Sequence, residues 1–140
     1  MKNKNQSGFS LIELLLVIVI LGTLIAIAAP SLLRARATAE NKSMRAIMRT
    51  IATLQVKYYQ QNRRFARLDE LNALEDGNIG TISGSELIRG NFSFEMSPSP
   101  TPTDEEITNV FAVRAYRHIL TGETPYELFV DQSGVITPEE

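Results

Sequence analysis

The sequence predicts an α+β fold in which one long N-terminal helix packs on a small antiparallel sheet. Three observations lead to this prediction. Residues 9–29 form an apolar run, residues 33–58 repeat apolar side chains at alternating steps of four and three, and the C-terminal half contains short segments of alternating apolar and polar residues. Steps of four and three are typical of one helix face, and strict alternation is typical of a half-buried strand.

The apolar run from Phe9 to Ala29 contains one charged residue, Glu13. As a helix, this run would span about 30 Å, which matches the hydrocarbon core of a bilayer. A charge at the bilayer centre costs roughly 2.5–3.5 kcal/mol, so an acid within such a span indicates a function and requires a counter-ion. Cleavage between Gly8 and Phe9 would supply one, because the new amine would lie four residues from Glu13 on the same helix face.

The residues before this run are Lys2 and Lys4, followed by Gly8-Phe9-Ser10-Leu11-Ile12-Glu13. This junction and the apolar run behind it resemble the class III leader of the type IV pilin and type II secretion pseudopilin superfamily. The rest of the chain matches that family only in general plan. The resemblance implies that a membrane peptidase cleaves after Gly8 and methylates the amine of Phe9, and that Glu13 acts in assembly.

Two other interpretations of the N terminus stay open. A secretory signal peptide also places basic residues before an apolar segment, and Ala26-Ile27-Ala28-Ala29 would be its small-residue cleavage site. A plain membrane anchor is the second alternative. The length of the apolar run, its start directly after Gly8 and the presence of Glu13 favour the prepilin interpretation.

The resemblance implies that the chain divides into a leader (1–8), a transmembrane and filament-core helix (9–29), an amphipathic helical stem (30–64) and a globular β-sheet head with its connecting loop (65–140). Pro30 lacks an N–H and its ring crowds the carbonyl of Ala26, so we expect a kink or helix break there. Gly22 is a second candidate for a break. The resemblance implies that residues 22–30 lose helicity in an assembled filament, and an ordinary proline kink is the alternative.

The stem is predicted to be helical to about Arg63, with one face that is apolar except for a glutamate. Basic residues Lys42, Arg45 and Arg49 lie outside this face. Its residues follow the four-and-three spacing of a buried helical seam: Leu33, Ala37, Glu40, Met44, Ile47, Ile51, Leu54 and Tyr58.

The head is predicted to form a three- to four-stranded antiparallel meander with the helix on one face. Leu68–Leu74 is predicted as a short helical turn, and the glycine-punctuated residues 77–90 as a connecting loop. Residues 97–103, rich in Ser, Thr and Pro, are predicted as a rigid, solvated loop. The candidate strands alternate or are rich in β-formers: Asn91–Met96, Val110–Arg117, Tyr126–Asp131 and the short Val135–Ile136.

The formal net charge of −2 hides a strong asymmetry along the chain. Residues 1–64 hold ten basic and two acidic residues, whereas residues 65–140 hold four basic and fourteen acidic residues. A basic stem and an acidic head suggest complementary contacts between stacked subunits. Two independently solvated surfaces would give the same composition, and the sequence does not separate these interpretations.

The chain offers little for catalysis. It has no cysteine and a single histidine, His118, so it forms no disulfide and has no thiolate metal site. We expect no enzyme activity, no catalytic residue and no cofactor. Asp104, Glu105 and Glu106 are the only candidates for a calcium site, and their spacing matches no EF-hand loop. An acidic solvated turn is the alternative. Because the head is acidic, nucleic acid is not an expected partner.

The resemblance implies a structural subunit that polymerises into a type IV pilus after leader cleavage and N-methylation. A pseudopilin of a type II secretion system is the main alternative, and a minor pilin or a membrane-anchored binding module is a lesser one. The implied partners are further copies of the chain, a prepilin peptidase that is also an N-methyltransferase, an inner-membrane assembly platform and membrane lipid.

The implied location is the bacterial inner membrane, crossed once with the N terminus inside, and later an extracellular or periplasmic filament. The distribution of basic residues opposes this orientation. Lys2 and Lys4 precede the span, while Arg34, Arg36, Lys42, Arg45 and Arg49 follow it. A positive-inside count alone would place the C-terminal side in the cytoplasm.

Overall fold

The computed structural model describes residues 8–97, 99–117 and 126–138. It confirms the α+β class, with a long N-terminal helix and an antiparallel sheet. Two compact units are present, residues 1–39 and residues 40–140, and each is described by itself. The elements in chain order are α1 (Leu11–Asn62), α2 (Leu68–Leu74), β1 (Thr81–Ser83), β2 (Glu86–Arg89), β3 (Phe92–Met96), β4 (Ala112–Arg117), β5 (Glu127–Asp131) and β6 (Ile136–Pro138).

In the first unit, helix α1 continues through both predicted break points, Gly22 and Pro30. The helix is therefore not broken at either residue in the single subunit, and a kink at Pro30 stays a prediction. Pro30 removes one N–H donor from the helix. The helix-forming residues on both sides of it maintain the other backbone hydrogen bonds. Nearby hydroxyls also bond to the helix backbone, since Ser31 Oγ donates to the carbonyl of Ala28 at 2.9 Å. Loss of helicity over residues 22–30 in a filament stays a prediction.

In the second unit, α1 buries the predicted seam from Met44 to Leu54, with Tyr58 partly buried. Met48 and Gln55 are also fully buried on this side of the helix. Leu33, the first residue of the predicted seam, is 67% exposed and lies in the first unit. The helix ends at Asn62 as expected, and Arg63 adopts a left-handed conformation (φ 59°) that is typical of a helix C-terminus.

The sheet has six strands in the order β1-β2-β3-β4-β5-β6, and every neighbouring pair is antiparallel. The predicted meander is therefore confirmed, and the predicted number of three to four strands is too low. Strands β1 and β2 form a hairpin within the segment that was predicted as a connecting loop. Gly84 lies in the turn between the two strands and has φ 62°, a conformation that favours glycine.

The core lies between α1 and one face of the sheet. Phe92, Phe94 and Met96 of β3 are buried on this face, as their alternation predicted. Val113 and Ala115 of β4 lie beside them in the antiparallel register, where Phe94 pairs with Ala115 and Met96 with Val113. Such a core buries several large apolar side chains against one helix and therefore stabilises the second unit without a disulfide.

Two buried or nearly buried side-chain amides connect the helices to the loops that follow them. The amide of Gln55 donates to the carbonyl of Ala66 and accepts from its N–H, both at 2.8 Å. The amide of Asn72 makes the same pair of bonds to Gly80, at 3.1 and 3.2 Å. Each amide satisfies both backbone groups of one residue in places where no regular element could do so.

Substitution of Gln55 with alanine is expected to destabilise the protein by about 2–4 kcal/mol, because it leaves the buried N–H and carbonyl of Ala66 without partners. The control is Gln60→Ala on the exposed surface of the same helix, which should change stability by less than about 0.5 kcal/mol. Denaturant unfolding of the detergent-solubilised protein, followed by near-ultraviolet circular dichroism, measures both. Equal midpoints for the two variants would contradict the bridging role of Gln55.

An ion-pair cluster holds α2 and the segment after β3 against the end of α1. Glu70 accepts hydrogen bonds from Arg64 (Nη1, 2.8 Å) and Tyr58 (Oη, 3.0 Å). Arg67 pairs with Asp104 and donates from Nε to the carbonyl of Pro102 at 2.8 Å. Pro102 is buried, so the expectation of a wholly solvated loop over residues 97–103 is wrong at this position. Its carbonyl and ring face protein groups that the sequence pattern did not reveal.

The low pKa of Glu70 predicts that the head loses stability in acid. The hydrogen bond from Arg64 is the main cause that lowers the pKa of Glu70 from 4.5 to about 2. A carboxyl with a lower pKa in the folded state stabilises the fold above its unfolded-state pKa, and this contribution is lost as the pH falls from about 4.5 towards 2. The denaturant concentration at the unfolding midpoint should decrease as the pH is lowered through this range. The decrease should be smaller for Glu70→Gln.

The matched control for this titration is Glu105→Gln, since Glu105 is exposed and makes no ion pair among the described residues. Its midpoints should follow the same pH profile as the unchanged protein. If Glu70→Gln also followed that profile, the assigned contribution of the Arg64–Glu70 pair would be wrong.

Candidate processing and assembly site

The predicted site residues Gly8, Phe9 and Glu13 lie together at the start of helix α1. Gly8, Phe9 and Ser10 precede the first helical residue, Leu11. The carbonyl of Ser10 accepts from the N–H of Glu13 (3.1 Å) and from that of Leu14 (3.2 Å), which begins the helical hydrogen-bond pattern. Ser10 is thus the N-cap residue, in keeping with the preference for serine at this position.

The carboxylate of Glu13 folds back onto the backbone that precedes the helix. Its Oε2 accepts from the N–H of Ser10 at 3.4 Å. This contact is one half of a capping box, in which a glutamate three residues after a serine cap satisfies the backbone N–H of the cap. This role was not predicted, although the spacing Ser10-x-x-Glu13 is its usual signal. An acid in the first turn is also favoured by the helix dipole.

No cationic side chain pairs with Glu13 among the residues that the structure describes. Lys2 and Lys4 of the leader lie outside the described residues. The capping bond is made to the N–H of Ser10, which belongs to the Phe9–Ser10 peptide bond. Cleavage after Gly8 would leave that N–H in place and would add a charged amine one residue away.

Around the carboxylate, the surface of the first unit is apolar and uncovered. The large apolar side chains between Phe9 and Leu33 are 48–89% exposed. Helix α1 is the one helix among the described residues that is long and apolar enough to cross a membrane, as judged by length and composition. Such a surface marks a contact with lipid or with other protein. This exposed apolar surface is what we expect of a subunit that is anchored in a membrane.

The backbone at Gly8 does not itself require glycine. An added Cβ would meet no heavy atom within 4 Å, and the residue does not have a positive φ. Gly22 has the same open surroundings. If a side chain at Gly8 impairs the protein, the cause therefore lies in another molecule that recognises this position.

The three candidate calcium ligands do not form a cluster. Asp104 pairs with Arg67, and Glu106 accepts from the N–H (2.7 Å) and hydroxyl (3.0 Å) of Thr103. Within the described ranges, no group of three or more His, Asp or Glu side chains is placed to hold a metal ion. Calcium binding stays an untested prediction. His118 lies outside the described residues.

Residues 3–29 match the family model described as the prokaryotic N-terminal methylation motif. The chain carries a prokaryotic N-terminal methylation motif. The matched range includes the junction at Gly8 and Phe9 and the whole apolar run to Ala29, so the resemblance seen in the sequence is confirmed for a type IV pilin-like or pseudopilin-like protein. A comparison with curated proteins finds no match, and a comparison with solved structures finds none either. The prepilin leader indicates a structural subunit rather than an enzyme.

Replacement of Gly8 with leucine should cause the uncleaved precursor to accumulate, because the peptidase that reads a prepilin leader must accommodate this residue. Immunoblotting and mass spectrometry of the N terminus measure the cleaved fraction, which should fall at least tenfold. The matched control is Gly22→Leu, which also adds a side chain in open space and should be cleaved normally. Normal cleavage of Gly8→Leu would show that processing does not depend on this residue.

Proposed function

We propose that the chain is a structural pilin that polymerises into a type IV pilus filament after cleavage behind Gly8 and methylation of the Phe9 amine. The observation that carries this proposal is the prepilin leader joined to an apolar helix whose surface is uncovered along the first unit. A polymer buries such a surface by bundling the helices of many copies. The second unit, with its own core, would then form the outside of the filament.

Glu13 would be the residue that registers one copy against the next. A free N-terminal amine has a pKa of about 8 and is mostly charged at neutral pH. In the apolar interior of a helix bundle neither this amine nor the carboxylate is stable alone, so each requires the other. Pairing of Glu13 with the Phe9 amine of an adjacent copy would fix the register and reject uncleaved chains, whose Phe9 nitrogen is an amide.

An intrachain pair between the Phe9 amine and Glu13 is also possible, because Phe9 directly precedes Ser10, the residue whose N–H Glu13 already contacts. The two arrangements differ in what they contribute to assembly. An intrachain pair would neutralise Glu13 within each copy and would leave the register of neighbouring helices to apolar packing alone. Apolar packing is non-directional, so we assign the pair to adjacent copies.

Before assembly, the subunit would lie in the bacterial inner membrane with its leader in the cytoplasm and residues 65–140 outside. A prepilin peptidase with N-methyltransferase activity would act on the leader at the inner face. An assembly platform would then draw the mature chain out of the lipid into the filament. In this scheme residues 9–29 exchange lipid contacts for contacts with other copies, and residues 30–64 form the stem.

A comparison of Glu13→Ala with Glu13→Gln separates the counter-ion role from the capping role. Glutamine keeps the acceptor for the Ser10 N–H and can complete a capping box, but it has no charge. If charge pairing drives assembly, both variants should be inserted and cleaved, and both should yield at least tenfold fewer sheared filaments than the unchanged chain. Filament yield is measured by immunoblotting of the sheared fraction.

Insertion and cleavage serve as controls for these variants. Protease added to spheroplasts should digest the head in all three chains, which also tests the proposed orientation. N-terminal mass measurement should give Phe9 as the first residue in each. Normal filament yield from Glu13→Gln would refute the charge-pairing role and leave capping as the function of Glu13.

A further inference from the structure

A basic, uncompensated face of helix α1 lies opposite the buried seam of the second unit. Lys42, Arg49 and Val56 follow one another at seven-residue intervals, so they share one face of the helix. All three are exposed, and Val56 keeps 55% of its side-chain surface accessible. We call the surface formed by Lys42, Arg49 and Val56 the basic face.

The cations of the basic face make no ion pair among the described residues. Helix α1 has no acidic residue after Glu40, so no carboxylate lies three or four residues from Arg49 to compensate it. Two basic faces would repel each other across a symmetric contact. A partner for this surface must therefore be acidic, and must have an apolar recess if it is to bury Val56.

The head contains a surface with both properties. A groove of about 410 Å³ lies between the ends of β3, β4 and β5 and the segment before β4. Its apolar part includes Val110, Phe111 and Phe129, and Val110 is 51% exposed. Glu106 and Asp131 also line it, and the described lining residues include no lysine or arginine. We call this surface the acidic groove.

The two carboxylates of the acidic groove are ionised at neutral pH. A hydrogen bond from the backbone of Thr103 is the main cause that lowers the pKa of Glu106. A hydrogen bond from the side chain of Ser133 is the main cause that lowers the pKa of Asp131. The groove thus combines an apolar recess with two fixed negative charges, which complement the isolated valine and neighbouring cations of the basic face.

We propose that the basic face of one copy docks into the acidic groove of a second copy, with Val56 entering the apolar recess and Arg49 facing Glu106 and Asp131. Arg49 lies two helical turns from Val56, about 10 Å along the axis, and its long side chain reaches beyond the edge of a recess filled by the valine. The contact joins two different surfaces and is therefore heterologous. Heterologous contacts that do not close into a ring generate helical filaments.

This inference rests on the proposed function, since it names the contact between heads and stems that a polymer of this chain would use. It adds a contact outside the apolar helix bundle, and that contact does not involve Glu13 or Phe9. Because exposed charges are screened beyond about 10 Å at 0.1 M salt, the long-range attraction between the two surfaces should weaken as the salt concentration rises.

Cysteine cross-linking tests the contact directly, because the natural chain contains no cysteine. The double variant Val56→Cys with Val110→Cys places one thiol on each surface, at two exposed positions outside the core. Oxidation of sheared filaments should give a ladder of disulfide-linked dimers, trimers and longer products on a non-reducing gel. Each single variant should remain monomeric on the same gel, because a heterologous contact brings two different positions together.

The outcomes separate this inference from the proposed function. Filaments without a ladder would overturn the docking contact and leave polymerisation intact. Dimers from Val56→Cys alone, or an intrachain disulfide in the double variant, would also overturn it. Failure of the unchanged chain to form filaments, with no ladder from the double variant in membranes, would overturn both proposals.

Charge reversal gives a second readout that does not depend on disulfide geometry. Arg49→Glu should lower filament yield at least fivefold, because it places a third negative charge at the acidic groove. The matched control is Lys57→Glu, which changes the same charge on an exposed residue about 80° around the helix from Arg49. Equal yields from the two variants would contradict the proposed position of Arg49.

Discussion

The structure depends on an apolar helical surface that the described residues leave exposed. In the first unit, the large apolar side chains are at least 48% exposed, and a carboxylate lies among them. Burial stabilises apolar surface by about 25 cal/mol per Å², so this surface is stable only against lipid or against other chains. In the proposed filament, the chain that covers this surface would also supply a positive charge to the carboxylate.

The second unit meets the opposite requirement, since it closes a core with few residues and no disulfide. Helix α1 contributes one buried seam to that core, and the amides of Gln55 and Asn72 satisfy the backbone where the chain leaves each helix. The same helix therefore has a seam that is used within the subunit and surfaces that remain available to other molecules. This division explains how a small domain can have its own core and still present helix surfaces for contacts with other molecules.

The sequence predicted the features that depend on periodicity and could not predict those that depend on long-range pairing. The seam from Met44 to Tyr58 and the buried side of β3 were read correctly because their spacing reports a buried face. The β1–β2 hairpin was not predicted, because Gly84 and the flanking Gly80 and Gly90 indicated a loop rather than two short strands. Contacts such as Gln55 with Ala66 and Arg67 with Asp104 join separate segments, and no local pattern distinguishes these residues from solvated ones. At the candidate site, Glu13 is conspicuous in the sequence as the one charge of the apolar run, and its role in assembly stays a prediction. Its capping contact with the N–H of Ser10 was not predicted.

The capping contact explains why glutamate suits this position better than aspartate does. At the third residue of the helix, its side chain reaches back to the N–H of Ser10, which lies beside the nitrogen that cleavage would free. Removal of the leader would preserve this hydrogen bond and add one positive charge next to it. The precursor and the mature chain would then have the same local backbone and differ in electrostatics alone. An apolar bundle is sensitive to that difference, because a lone charge is tolerated at its aqueous edge and strongly disfavoured within it.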